Sequence, residues 1–282
     1  MLDARNAWRP SWLLLLSIVL CAINYLDGRA RAQTWYAFKP VDLTIYSPGR
    51  HQILGHSHYE LSSVEGGAEL RGEARYLDGE SDVERDRIEF STPEERPALV
   101  SFSHVFFLAD GGLRMTAEAD LKSGEASCDR YGDGGPSTVT ETLDFPRDTY
   151  AGVTALIPIE YALRQGLRSG IKFHFFTCAP KPRVLELDAT ADLTETQWAS
   201  YTGNLVKMKV RPDFGWLTLL ASPFLPKFYE WFDSSQDWRY LGGTTERFYK
   251  GPFVELVREP RGPKDDQSPT AAAVAPQAAA TK

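Results

Sequence analysis

The chain has 282 residues, with 31 basic against 38 acidic side chains and a formal net charge of −7. That balance argues against nucleic acid, whose binding rests on neutralising phosphates, and against simple adsorption to anionic lipid. A chain of this length buries about 70–75% of its unfolded surface in one domain, so folding needs neither a disulfide framework nor a metal.

Residues 1–32 read as a cleaved secretory signal. Arg5 and Arg9 precede an apolar run from Trp12 to Ile23, and Ala30-Arg31-Ala32 is a small-x-small cleavage site. The run falls short of the ~20 residues that span a bilayer. Leu20 ahead of Cys21 is too large for a lipobox. Cleavage after Ala32 leaves residues 33–260 as a single β-rich domain and 261–282 as a disordered tail rich in Pro and Ala, in the periplasm or outside the cell. Taking four basic and two acidic residues from 31 and 38 leaves 27 and 36, so the mature part is more acidic still. Cys128 and Cys178 remain of three cysteines. An oxidising compartment favours a disulfide between them; the other reading is two buried free thiols.

Strand-like segments follow. Trp35 to Tyr46 is rich in β-formers but broken by Pro40, and Gln52 to Val64 comes next. After the turn Glu65-Gly66-Gly67, Ala68, Leu70, Gly72, Ala74 and Tyr76 alternate with polar residues at a period of two. Val83 to Phe90 carries many charges and reads as a solvated edge. Leu99 to Leu108 and Leu113 to Leu121 form a hairpin about Asp110-Gly111-Gly112, with Val100, Phe102, His104 and Phe106 sharing one face of the first strand. Ala126 to Tyr131 and Ser137 to Phe145 continue the pattern.

One stretch reads as a helix. Asp148 suits an N-cap, and Tyr150, Val153, Leu156, Ile157, Tyr161 and Leu163 recur at helical spacing up to the stop signals Gly166 and Gly170. Pro158 inside it implies a kink or two short helices that meet there. Strands resume at Ile171 to Cys178, Val184 to Ala191 and Tyr201 to Val210. The chain then becomes strongly aromatic from Phe214 to Phe253, with closing strands around Trp238 to Tyr240, Thr244 to Tyr249 and Phe253 to Arg258. Roughly ten to twelve short strands with short connections predict a mainly β fold: a curled antiparallel sheet or unclosed barrel with one kinked helix packed at its mouth.

The element order, the block Phe228-Tyr229-Glu230-Trp231-Phe232-Asp233 and the closing strand Val254-Glu255-Leu256-Val257 carry a resemblance. Over Ser57 to Arg258 the chain resembles a bacterial exported family of unknown function related to the Lol-type periplasmic lipoprotein carriers. That resemblance implies an unclosed barrel with a helical plug and a cavity for acyl chains, hence a carrier or binding protein rather than a catalyst.

The residues themselves offer little chemistry. His56 and His58 share a strand face and, with His51, suggest at most part of a metal site; the plainer reading is a wet strand face. Asp129, Asp133 and Gly134 lack the spacing of a calcium loop. No nucleophile elbow, zinc-protease helix or phosphate loop occurs. No catalytic residue, metal or cofactor is assigned. The aromatic residues serve either as plain core or as the wall around an apolar ligand. The second reading lines the cavity with Tyr150, Val153, Ile157 and Tyr161 from the helix, and with Trp216, Leu220, Phe224, Phe228 and Trp231. The expected function is binding or carriage of a hydrophobic small molecule or lipid. The alternatives are an interaction protein with an envelope protein partner, and a hydrolase with converging carboxylates or inward-facing His56 and His58.

Overall fold

Alternation at a period of two, punctuated by glycine turns, produces a long antiparallel meander. The computed structural model describes residues 40–89, 96–132, 135–192, 197–215, 218, 227–248 and 251–259. The first half comprises β1 (Val41–Tyr46), β2 (Ile53–Val64), β3 (Gly67–Tyr76), β4 (Ser81–Glu89), β5 (Ala98–Phe107), β6 (Leu113–Asp120), β7 (Glu125–Gly132) and β8 (Gly135–Thr142). Each strand pairs with the next. Gly66 and Gly111 sit at hairpin tips with φ of 77° and 83°, a region that glycine enters without a Cβ clash.

The chain then forms β9 (Thr149–Tyr150), a 3-10 turn over Gly152–Ala155 and α1 (Leu156–Arg164). The second half follows with β10 (Ile171–Cys178), β11 (Pro182–Asp192), the small hairpin β12 (Gln197–Trp198) and β13 (Tyr201–Thr202), β14 (Leu205–Pro212), β15 (Phe228–Asp233), β16 (Arg239–Glu246) and β17 (Phe253–Arg258). All but the small hairpin join one sheet of 15 strands, ordered β8 through β1, then β17, β16, β15, β14, β11, β10, β9. Two meanders thus meet at the antiparallel β1–β17 pair. The short β9 is parallel to β10, while the other ladders of this sheet are antiparallel.

The sheet curls until its two ends approach, without a ladder between them. A disulfide joins Cys128 on β7 to Cys178 at the end of β10, with Cα atoms 5.7 Å apart. Arg130 donates to the Cys178 carbonyl at 2.8 Å, and Lys181 pairs with Glu141 at 2.7 Å. The fold is therefore mainly β, with a large curled sheet that does not close and, among the described residues, one short α-helix. The main core lies inside the curl, where Leu70, Phe173, Met208 and Phe232 are fully buried together with Ile159 and Leu163 of α1.

Three expectations change. Asp148 does not cap a helix: residues 149–150 are extended, and the Asp148 carboxylate meets His174 Nδ1 at 2.7 Å. The helix begins only at Leu156, directly after the 3-10 turn, so two short helical pieces do meet. Pro158 falls in the first turn of α1, where the amide it lacks has no partner within the helix. Second, the charged segment is no edge. β4 lies between β3 and β5, and its Asp82, Glu84 and Asp86 point inward with Ile88 while Arg85 and Arg87 face solvent. Third, the strand count is higher, because the segment before the helix and the Gln197–Thr202 stretch supply short strands with weak patterns.

Candidate binding cavity

Inside the curl lies a cavity of about 460 Å³. Its apolar wall is built from inward positions of many strands, among them Phe102, Phe173, Leu187, Val210, Phe228 and Leu256. The 3-10 turn and α1 contribute Val153, Leu156 and Ile159. Among the described residues a helical segment thus covers part of the inner sheet face, and the cavity lies beside it.

One wall is acidic. The register aligns Tyr59, Gly72, Glu84, His104 and Ala117 across β2 to β6, all on the inner face. Gly72 leaves room for the Tyr59 ring; a Cβ at that position would come within 2.4 Å of Tyr59 Cε1. The neighbouring row holds Ser57, Ala74 and Asp82, and the row on the other side holds Leu61, Leu70 and Asp86. Period-two alternation along β4 thus stacks three carboxyl groups on one inner face.

Their partners are few. Glu84 Oε1 accepts from the Val153 amide at 2.8 Å. That approach requires Gly152, which has φ of 47° and no Cβ to collide with the carboxylate. Asp82 lies 3.6 Å from His104 Nε2 and accepts from the Tyr76 hydroxyl at 3.4 Å. Asp86 is 1% exposed, and among the described residues neither of its oxygens meets a hydrogen-bond donor. Ser57 lines the cavity at 5% exposure, and its hydroxyl has no partner.

The electrostatics follow from burial. Desolvation raises the Glu84 carboxyl above the usual range, against the pull of His104 and the Val153 amide. Desolvation raises Asp86 well above its range, and the adjacent Glu84 adds to it. Burial opposes charge on His104, but its contact with Asp82 and the charges of Asp82 and Glu84 outweigh that and raise its pKa. Across the cavity Glu230 accepts from the Tyr240 hydroxyl at 2.9 Å. Desolvation pushes its pKa up to about 8, with the Tyr240 bond opposing. Among the described lining residues the one guanidinium, Arg247, is engaged by Asp78 at 2.8 Å and Glu80 at 2.7 Å and lies over the Tyr76 ring. Among the described residues no Lys or Arg pairs with Glu84, Asp86 or Glu230.

The residues expected to line a cavity take different places. Val153 and Phe228 do line it. Tyr150 is buried beside it, edge-on to Phe173, with its hydroxyl donating to the Pro97 carbonyl at 2.7 Å. Ile157 is buried in the core and Tyr161 is partly exposed, neither at the cavity wall. Trp231 points to the opposite face of β15, where it stacks on Trp198 at 4.5 Å beneath the small hairpin. Trp216, Leu220 and Phe224 lie outside the described residues. His56 and His58 are exposed on the outer face; His58 meets Asp42 at 2.7 Å. Among the described residues no group of three metal-ligating side chains gathers.

The acidic wall was missed from sequence. Its signal was Ile88, which is in phase with Asp82, Glu84 and Asp86 and so ties them to the core face. Glu230 sits in the Phe228–Asp233 strand, and its facing depends on the strand phase.

The fold and cavity define a class: a curled, barrel-like β protein with an apolar interior and buried acids. No protein-family model and no curated protein matches the chain. Among solved structures it is similar to a β-barrel-like protein of the domain of unknown function DUF1849 from Brucella abortus, at 12% identity and a TM-score of 0.42. That match covers 77% of this chain and 93% of the other.

Proposed function

We propose that this protein binds or carries a hydrophobic ligand, a lipid or acyl chain, inside the curled sheet, in the manner of the Lol-type carriers its sequence resembles. The observation that carries the reading is the cavity of about 460 Å³, within the size range of small-molecule sites and lined by aromatic and aliphatic side chains. Each methylene moved from water into such a wall contributes about 0.8 kcal/mol, so a medium-length chain offsets the cost of immobilisation. Val153, Leu156 and Ile159 put the helical segment against the ligand, where its displacement would control access. The chain works in the periplasm after loss of its signal; the Cys128–Cys178 disulfide supports an oxidising compartment.

Native mass spectrometry of the purified chain, before and after organic extraction, tests this. A discrete bound lipid mass that extraction removes is the expected result. A bare protein mass, with no uptake when lipids are offered, overturns it. A well-filled interior would have favoured an envelope interaction protein, and the open volume weighs against that. A hydrolytic reading draws on the convergence of Asp82, Glu84 and Asp86. Turnover of chromogenic ester or glycoside probes that is lost in Glu84→Gln would favour it.

A further inference from the structure

The apolar wall explains affinity for a chain but not the buried acids. Asp82 and Glu84 line the cavity with no Lys or Arg against them, and Ser57 presents an unpartnered hydroxyl to the same space. Ala74 lies between Ser57 and Asp82 in the register and adds only a methyl group, so that part of the wall is open. Burying acceptors whose capacity is only partly used costs free energy, and a ligand that donates further hydrogen bonds to them lowers the cost.

We propose that the cavity takes an amphiphile with a basic amine, its ammonium head on the Asp82–Glu84 wall with Ser57 at the rim and its apolar body against Phe102, Phe173 and Phe228. An ammonium group supplies three donors and a positive charge, which matches a wall rich in carboxylate acceptors. Among the described lining residues a carboxylate-headed chain would meet acids, with Arg247 already held by Asp78 and Glu80 and His104 beside Asp82. Desolvation raises the Glu84 carboxyl, and an ammonium head beside it would favour its ionised form. The inference rests on the proposed binding of hydrophobic ligands and specifies their head group.

Isothermal titration of the full purified chain, cleared of lipid and kept at submicellar ligand concentrations, separates the two claims. The probes share one alkyl chain: decylammonium, decanol and decanoate. Decylammonium is expected to bind at least about tenfold tighter than either of the others. In Glu84→Gln that preference is expected to fall to near parity while decanol binding stays, since the amide still accepts from Val153. Equal binding of all three probes, or a preference for decanoate, overturns the inference and leaves the hydrophobic-ligand reading standing. No binding of any probe overturns both. The ranking in the wild-type chain decides the inference even if Glu84→Gln does not fold. In that event Ser57→Ala, expected to weaken decylammonium binding and spare decanol, takes its place.

Discussion

Glu230 makes stability depend on pH in a direction opposite to that of a salt-bridged carboxylate. In the folded chain it holds its proton up to about pH 8, whereas an unperturbed glutamate releases it near 4.5. Between those values the folded state binds more protons than the unfolded one, so stability falls as pH rises. The stabilising contribution is complete below the unfolded value and is lost through the folded value. Glu84 and Asp86, raised in the same direction, add to the slope. Urea unfolding at pH 5 and at pH 8 checks this: relative to wild type, Glu230→Gln is expected to gain stability at the higher pH and little at the lower. An equal effect at both would show that Glu230 is ionised throughout. The same residue shows how far a sequence is read one position at a time. Its neighbours were recognisable as a strand, but facing decided its chemistry, and facing is a property of register.

At the scale of elements, β15 separates two environments. Phe228 and Glu230 face the cavity, while Trp231 packs outward with Trp198, Leu205, Leu241 and Val257. Trp231→Ala is expected to cost about 3–5 kcal/mol of stability, as for a large buried aromatic. It should leave the affinity for any cavity ligand unchanged in the fraction that remains folded. Denaturation curves read the first, and titration with a bound lipid or alkyl probe the second; a large loss of affinity would mean that Trp231 reaches the ligand. β4 carries the related lesson. Its alternation was legible as a strand, yet the density of charge read as an exposed edge, because acidic residues are rarely buried without partners. Ile88 was the one residue that argued otherwise. The helix shows the reverse case: periodicity located it, but its start moved from Asp148 to Leu156, since Thr149 and Tyr150 gain a ladder with β10 that no local pattern records.

For the whole molecule, the disulfide joins strands from opposite halves of the curl. Cys128 and Cys178 are 50 residues apart, and their link closes a loop over the β8–β9 gap and the helix. In the chain-entropy model such a closure stabilises the fold by about 4 kcal/mol. Reduction, or Cys178→Ala, is expected to lower unfolding stability by about that amount and to loosen the approach of β7 and β8 to β11. Thiol labelling under native conditions should find neither cysteine reactive before reduction. A fold equally stable when reduced would show that packing at the seam suffices alone.

Sequence alone determined that this chain is mainly β, where many of its turns fall, that a broken helical segment interrupts the strands, and which two cysteines stood available to pair. Those features rest on local chemistry: glycine at turns, apolar alternation and a proline near a helix start. Only the tertiary structure decided which face of each strand points inward, that Asp82 and Glu84 of β4 share the cavity with His104, and that Trp231 does not. The physical reason is that inside and outside are set by the curl of the whole sheet, which links strands far apart in the chain, and a period of two is identical for a strand and for that strand turned over.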